Sequence, residues 1–566
     1  MPRRSSALAS LSKKRYDARS ILFGNAPAPG RRRAVIIRRA YAMDDSTVSC
    51  GLPRALPYRT ANRVLRVLFV ATVAAAGLLF WLVPHPPMID LPQHAGQVAT
   101  LHDLLLGQSP WAPLLRINLF TPYLLGYGAA AVLSLVMPVA AALKVMLTLS
   151  FYGFVAAYIA LRRRLGTDPR LDWLCVPVFF GFAYEFGFYS YLVAVPVAMI
   201  FIALALDYAE QQTARRGAVL ALVNLALFFS HGLLFVFANA IGGLFLLVHL
   251  RRTNTLPRVL RALWPYATLA FVAVLYAALH RDVDLTPMYP FTVMWGISPL
   301  VRVFAAVLYP WGVAGDSRSL LAFVLIAAAP FLMASKPNRH VTAYVPAIVV
   351  TIVWFAVPLF AINTFFLYPR FALFLFPFYA LMFRAPEPAE PGRRMPRLAL
   401  MTQLLLAVTC AGFVVQQGVR ALRFADESAD FDVVANAIEP AQRGLAIIVD
   451  RMSPAAGNPY AYENFALWYQ AEHRGFVDFN AAWFPPQIVR FRLDRLPGVG
   501  PSDVSPLPLY RHFDWQRHQG RLYRYFFVRA ATPLPDTFFA NPACRVVRVK
   551  TAGEWSVYEK QVCRGD

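Results

Sequence analysis

Charge is scarce in this chain, and negative charge most of all: charged residues make up 15% of 566 residues, with 31 acidic side chains against 55 basic ones. A soluble domain carries about 25% charged residues. With 58% hydrophobic residues and a mean hydropathy of +0.47, the apolar surface exceeds what one soluble core can hide, so the bilayer is the main solvent. Cysteine is rare as well. Cys50, Cys175, Cys410, Cys544 and Cys563 form no Cys-x-x-Cys and have no adjacent Cys/His cluster, which argues against a structural zinc or haem site. The basic N-terminal segment lacks the apolar core and small-residue cleavage site of a secretory leader, so the run Val67 to Val83 is expected to stay as an anchor. Met43 offers an alternative start that would leave residues 1–42 out of the mature protein. Short alternating strands of the kind that build a barrel are also missing. The net charge of +24 comes from arginines clustered between apolar runs, with no aromatic-plus-basic platform for stacking bases. The anionic inner leaflet, rather than nucleic acid, is the partner this charge fits.

What the chain has in abundance is apolar runs of about 17 to 22 residues, the length of helix that crosses a hydrocarbon core about 30 Å thick. Arginine and lysine in short loops stay on the cytoplasmic side. Placing Arg63/Arg66, Arg162–Arg164, Arg215/Arg216, Arg251–Arg261, Lys336/Arg339 and Arg384–Arg397 there requires about eleven crossings. These start near Val67, Ala141, Trp173, Tyr191, Gly217, Gly232, Leu263, Leu320, Val341, Phe371 and Leu398. The stretches Leu119 to Met137 and Phe291 to Trp311 are then interfacial or re-entrant helices. The segment from Trp173 is short for a crossing and contains Pro177, which predicts a tilted or bent element.

Three regions follow: a basic cytoplasmic segment over residues 1–63, a transmembrane domain over 64–420, and an extracytoplasmic soluble domain over 421–566. The last is large enough to bury a core of its own. Ala446 to Val449 and Arg545 to Val549 read as strands and Glu463 to Glu472 as a helix, giving a small α/β or α+β domain. Cys544 and Cys563 are the pair within it, and an oxidising compartment would permit a disulfide between them.

The outer surface in this scheme gathers an unusual set of residues. Pro-His-Pro-Pro-Met-Ile-Asp-Leu-Pro-Gln-His over 84–94 carries His85, Asp90 and His94, ahead of an amphipathic run with Val98, Leu101 and Leu105 on one face. Glu185, Ser230–His231, Asp282/Asp284 and Tyr368–Arg370 fall at later outer turns. Asp90, on a proline-stiffened segment, suits a base that takes a proton from an acceptor hydroxyl. Its simpler role is capping the helix that begins near Pro92. His94 lies one helical turn on and can share a face with Asp90. Two histidines and an aspartate raise a metal site, but the i, i+4 His/His arrangement is absent, so a divalent metal is compatible with the sequence without being indicated by it. Glu185 sits in an aromatic collar, Tyr184 to Tyr191, that fits either a ligand or the interfacial belt. His231 is either a ligand contact or part of a plain turn. Arg370, in Leu-Tyr-Pro-Arg-Phe, suits bidentate capture of a phosphate oxygen or snorkelling to lipid headgroups.

Several of these segments together resemble the GT-C superfamily of membrane glycosyltransferases. They are Met-Ile-Asp-Leu-Pro-Gln-His after the first span, an interfacial helix behind it, Ala-Leu-Arg-Arg-Arg-Leu-Gly closing a span, and Tyr-Pro-Arg-Phe before a Phe/Pro-rich helix. The likeness covers the layout of residues 64–420 and the soluble domain after the last span. It implies a multi-pass bacterial inner-membrane protein that moves a sugar from a polyprenyl-phosphate carrier to a glycan, lipid or protein acceptor on the outer face. By position it implies Asp90 as the base, Arg370 as a phosphate clamp, and His94, Glu185, His231 and Tyr368 as substrate-binding groups. Where many members pair two acidic residues, this chain has Asp90–Leu91. Two alternatives share the same layout: a surface-polysaccharide polymerase or ligase leaning on Arg318 and Arg370, and a non-enzymatic transporter or anchored binding protein.

Overall fold

A computed structural model describes residues 58–250, 255–279, 293–313, 317–386, 396–478, 480–495, 513–541 and 543–563. Asp282, Asp284, Cys50 and residues 387–391 of the Pro/Glu-rich stretch lie outside the described residues, as does the N-terminal segment before Tyr58.

The chain opens with helix α1 (Tyr58–Leu78), followed by α2 (Leu91–Leu105), strand β1 (Leu115–Ile117), α3 (Leu124–Leu133) and α4 (Val139–Arg164). Next come α5 (Cys175–Val178), α6 (Phe182–Glu185), α7 (Tyr189–Glu210), α8 (Ala214–Ser230) and α9 (Gly232–Leu250). Then follow α10 (Leu256–Leu263), α11 (Ala267–Leu279), β2 (Val293–Met294), α12 (Pro299–Leu308), α13 (Ser317–Leu332) and β3 (Lys336–Pro337). The helical part closes with α14 (Val345–Ala356), the hairpin β4 (Phe360–Ala361) and β5 (Thr364–Phe365), α15 (Ala372–Leu381), β6 (Phe383–Arg384) and α16 (Arg397–Ala435).

Among the described residues, 6 helices are long and apolar enough to cross a membrane: Ala61–Trp81, Val139–Arg164, Tyr189–Glu210, Gly232–Leu250, Val259–Leu279 and Arg397–Ala435. The other expected spans are occupied by shorter helices. The two stretches expected to lie in the interface hold α3 and α12, of 10 residues each, too short to cross. The segment from Trp173 is a chain of short pieces: a 3-10 turn over Pro169–Leu174, then α5 and α6. Pro177 removes one backbone donor there, and the residues from Leu171 to Leu192 are buried throughout. Broken backbone of this kind is stable at membrane depth only inside protein, where its polar groups find partners. Phe182 N–H donates to the Tyr309 carbonyl at 2.9 Å, and Ile89 N–H donates to the Glu185 carbonyl at 3.1 Å.

Three of the basic segments, those near Arg164, Lys336 and Arg384, come together. Asp168 N–H donates to the Phe383 carbonyl, Asn338 Nδ2 donates to the Leu165 carbonyl, and Lys336 pairs with Arg384 in the β3–β6 ladder. The 84–94 loop, the turn after Glu185 and the β4–β5 hairpin meet at a different place, described below.

Helix α16 is 39 residues long, about 58 Å, and so outreaches the hydrocarbon core. It runs without a break through position 421, where the composition changes. Phe431, near its end, packs on Trp555 and Phe527 of the sheet that follows. That sheet has the order β11-β12-β10-β7-β8, in which β7 (Arg443–Ile448) is parallel to β8 (Phe476–Asp478) and to β10 (Tyr525–Arg529). β11 (Cys544–Ala552) and β12 (Trp555–Cys563) complete it antiparallel, joined by the Cys544–Cys563 disulfide. The helix expected over Glu463–Glu472 forms only from Phe465, as a 3-10 turn followed by α17 (Trp468–Glu472). Strand β9 (Val489–Phe491) leaves this sheet and pairs antiparallel with β1, Leu115 opposite Phe491. The protein is thus an α-helical polytopic membrane protein with a small mixed-sheet domain tied to the first loop by the β1–β9 pair.

The expected face of α2 is partly corrected. Val98 and Leu101 are buried but Leu105 is 60% exposed, where α2 ends.

Arg302 of α12 is the main lock on the loops near Arg370. Its Nη1 donates to the carbonyls of Trp354, Phe355 and Val357 at 3.0, 3.2 and 2.8 Å, and its Nη2 donates to the Trp295 carbonyl at 2.9 Å. These include carbonyls that the end of α14 leaves without helical partners, at the negative pole of its dipole. We expect Arg302→Ala to cost about 2 kcal/mol or more, read as a lowered Tm of the purified protein. Arg302→Lys should recover only part of this, since one ammonium cannot replace the planar fork.

Candidate active site

The prolines at 84, 86 and 87 stiffen the path from α1 to α2 and deliver Asp90 to the start of α2. Asp90 occupies the N-cap position in a helical conformation, φ −93° and ψ −2°, and its side chain makes no capping hydrogen bond. A capping Asp adopts an extended backbone and accepts from the second or third helical N–H. Here Oδ1 instead accepts from Asn464 Nδ2 at 2.8 Å, and Asp90 N–H donates to the Phe186 carbonyl at 3.0 Å. Gly187, with φ +78°, makes that approach possible: a Cβ there would sit 2.6 Å from the Asp90 nitrogen.

Asp90, His94 and Arg370 line one cavity of about 680 Å³. His94 is buried one turn along α2, with Nδ1 2.6 Å from the Tyr127 hydroxyl. Arg370 arrives on the 3-10 turn before α15, where its Nε and Nη2 donate to the carbonyls of Phe366 and Phe365 at 3.2 and 3.0 Å. Its guanidinium lies 3.8 Å over the Phe188 ring. The hairpin supplying those carbonyls turns at Ile362 and Asn363, with φ of 52° and 54°, the left-handed pair of a type I′ turn.

The sheet domain supplies one wall of the cavity. Arg451, Tyr460, Glu463, Asn464, Asn480 and Gln487 form that wall. The domain is held to α2 by polar contacts along one face. Gln93 Nε2 donates to Asn464 Oδ1 at 3.1 Å, Val489 N–H donates to Gln97 Oε1 at 3.0 Å, and Gln470 Nε2 donates to Thr100 Oγ1 at 3.1 Å. The first of these orients the Asn464 amide so that its NH₂ faces Asp90.

Burial pushes the Asp90 carboxyl up to about 7, against the pull of Arg370 and the Asn464 hydrogen bond, with Glu463 pushing the same way as burial. Burial and the nearby Arg370 hold His94 down to about 3, so its imidazole is neutral and Asp90 is the group that changes charge near neutrality. Removing the Asn464 donor strips a contact that favours the charged carboxylate. In Asn464→Ala the acid limb of any Asp90-dependent activity is therefore expected to move to higher pH, which a pH–rate profile reads.

Three candidates from the sequence do not line the cavity. Glu185 is a strut: its carboxylate accepts from Val313 N–H and faces Arg420 Nη1 at 3.5 Å, joining α6 to α16. His231 is buried edge-on against Tyr123 and Tyr191, at 5.4 and 5.3 Å between ring centroids. Among the described residues neither of its ring nitrogens has a hydrogen-bonding partner. Tyr368 packs on Trp354 and under the Arg302 guanidinium at 4.1 Å. Tyr368 immediately precedes the Arg370 turn, yet its ring belongs to the Arg302 lock. Arg318 is exposed on α13. Asn464 and Gln487 carried no sequence signal, because they reach the site only through long-range contacts, Asn464 through Gln93 of α2 and Gln487 beside the strand that pairs with β1.

No protein-family model and no curated protein matches this sequence. Among solved structures, the chain is similar to ArnT from Cupriavidus metallidurans in the apo state, with a TM-score of 0.50 and 12% sequence identity. The match covers 88% of this chain and 98% of that one. At that identity the likeness is one of fold.

Proposed function

We propose that the protein is a membrane glycosyltransferase that moves a sugar from a polyprenyl-phosphate carrier to an acceptor hydroxyl. The observation that carries this reading is the meeting of Asp90, His94 and Arg370 in one cavity built on a GT-C fold. A carboxylate and a fixed guanidinium across one space match what the reaction requires. Asp90 takes the acceptor's proton as its oxygen bonds to the anomeric carbon. The carbon–oxygen bond to the phosphate breaks, and the polyprenyl phosphate leaves with its charge facing Arg370. Neutral His94 holds its place through Tyr127 and offers a hydrogen bond to a sugar hydroxyl. The sheet-domain wall, with Arg451, Asn480 and Gln487, is the side from which an acceptor is selected.

The reading extends to location. Basic segments that meet away from the cavity fit a cytoplasmic end, which supports reading Asp90 and the 421–566 domain as lying on the outer face of a bacterial inner membrane. The Cys544–Cys563 disulfide fits that compartment. The polymerase or ligase alternative calls for Arg318 at the site, and that residue is not among those lining the cavity.

The test is sugar transfer by the purified protein in lipid, offered a panel of polyprenyl-phosphate sugars with a mixed acceptor extract. Label moving to an acceptor supports the reading. A panel that is bound but never turned over by the wild type would sink it.

A further inference from the structure

His85 was read from the sequence beside Asp90 and His94, but it faces the other way. Its ring stacks on Trp468, 4.2 Å between centroids, and meets Phe465 edge-on at 5.8 Å. These two rings fix its plane so that Nε2 lies 2.9 Å from Glu472 Oε1. Asp432 of α16 completes the group, and one donor atom from each of the three residues lies within 4.8 Å of the others.

We propose that His85, Asp432 and Glu472 bind one divalent transition-metal cation, zinc foremost, that clamps the sheet domain to the loop carrying Asp90. The donor set is one imidazole nitrogen and two carboxylates, a combination suited to zinc. Ligands of a tetrahedral zinc stand about 3.4 Å apart, so the side chains need to close by about 1 Å or so. Charge argues in the same direction. Two carboxylates side by side repel, and a neutral imidazole with a dication between them balances the charge. Lys144, whose charge interacts with Glu472, bonds the Val83 carbonyl at 2.6 Å rather than either carboxylate. The Trp468 and Phe465 rings form an apolar wall on one side, while the Glu472 side chain is 36% exposed and admits water to a fourth position.

The three ligands come from three segments: the loop before α2, the far end of α16 and the end of α17. A cation there fixes all three at once, beyond what the His85–Glu472 pair achieves, and holds Asn464 against Asp90.

The test uses the full-length protein in detergent, stripped with a chelator, dialysed against zinc chloride and analysed for bound metal and Tm, with no sugar present. The wild type is expected to hold about one zinc per chain and to melt higher with zinc than without. His85→Gln, Asp432→Asn and Glu472→Gln keep the side-chain shapes and are each expected to weaken zinc binding by about tenfold or more and to lose the zinc-dependent rise in Tm. Wild-type protein that retains far less than one zinc overturns the proposal, as does unchanged zinc in all three folded variants. Neither result depends on whether the protein transfers a sugar.

Discussion

Asp90→Asn is expected to lower turnover by about 10²- to 10⁴-fold, the usual contribution of a positioned general base, while the protein folds as well as the wild type or better. The structure gives both halves of that expectation. The substitution keeps the shape and an oxygen for Asn464 Nδ2 to bond, so the contact across to the sheet domain survives. It removes the group that would take the acceptor's proton. Stability should move the other way. The folded carboxyl holds its proton up to about 7, well above its ordinary value of 3.8, so the folded state carries an extra proton between those values. The contribution of Asp90 to stability is therefore full below the ordinary value and falls as pH rises toward 7. Asparagine carries no such term. The variant should melt no lower than the wild type at pH 8 and lose any advantage near pH 4. Activity in the wild type should rise with pH through about 7, as the carboxylate forms. An Asp90→Asn variant that folds and keeps wild-type turnover removes Asp90 as the base.

The parts of this molecule that are legible in sequence are those written in local terms. Apolar runs mark the helices because the bilayer demands length and hydropathy whatever the helices pack against. Pro177 marks the break ahead of α6, since a missing donor is a local fact. Asp90 and Arg370 stand out because a charge beside a proline and an apolar run needs a reason. The remainder of the site is written in long-range contacts. Leu115–Ile117 and Val489–Phe491 are strands of 3 residues each, too short for alternation to register, yet they pair and set Gln487 beside the cavity, while Asn464 reaches Asp90 through Gln93 of α2. Tyr368 and Arg370 are two positions apart and point to different tasks, because the 3-10 turn between them rotates one ring toward Arg302. The same holds for His85 and Asp90, where Pro86 and Pro87 turn the chain so that one faces α17 and the other the cavity.

Arg370→Ala should weaken transfer by about 10²- to 10³-fold, as loss of one preorganised group facing developing charge does elsewhere. The guanidinium is set in place before any ligand arrives: two of its nitrogens are tied to the Phe365 and Phe366 carbonyls and its face rests on Phe188. Tyr191 donates from its hydroxyl to the Arg370 carbonyl at 3.0 Å, which fixes the backbone as well. Because the charge on the departing phosphate grows as the bond breaks, the loss should fall on kcat as well as on KM for the lipid-linked sugar. Arg370→Lys separates electrostatics from geometry. A lysine restores a positive charge, but its single ammonium cannot satisfy both carbonyls, lie flat on Phe188 and still face the phosphate. It should recover KM more than kcat. Recovery of both by lysine would mean that the hairpin and Phe188 hold no geometry the reaction uses, and that Arg370 acts only as a point charge on the bound lipid.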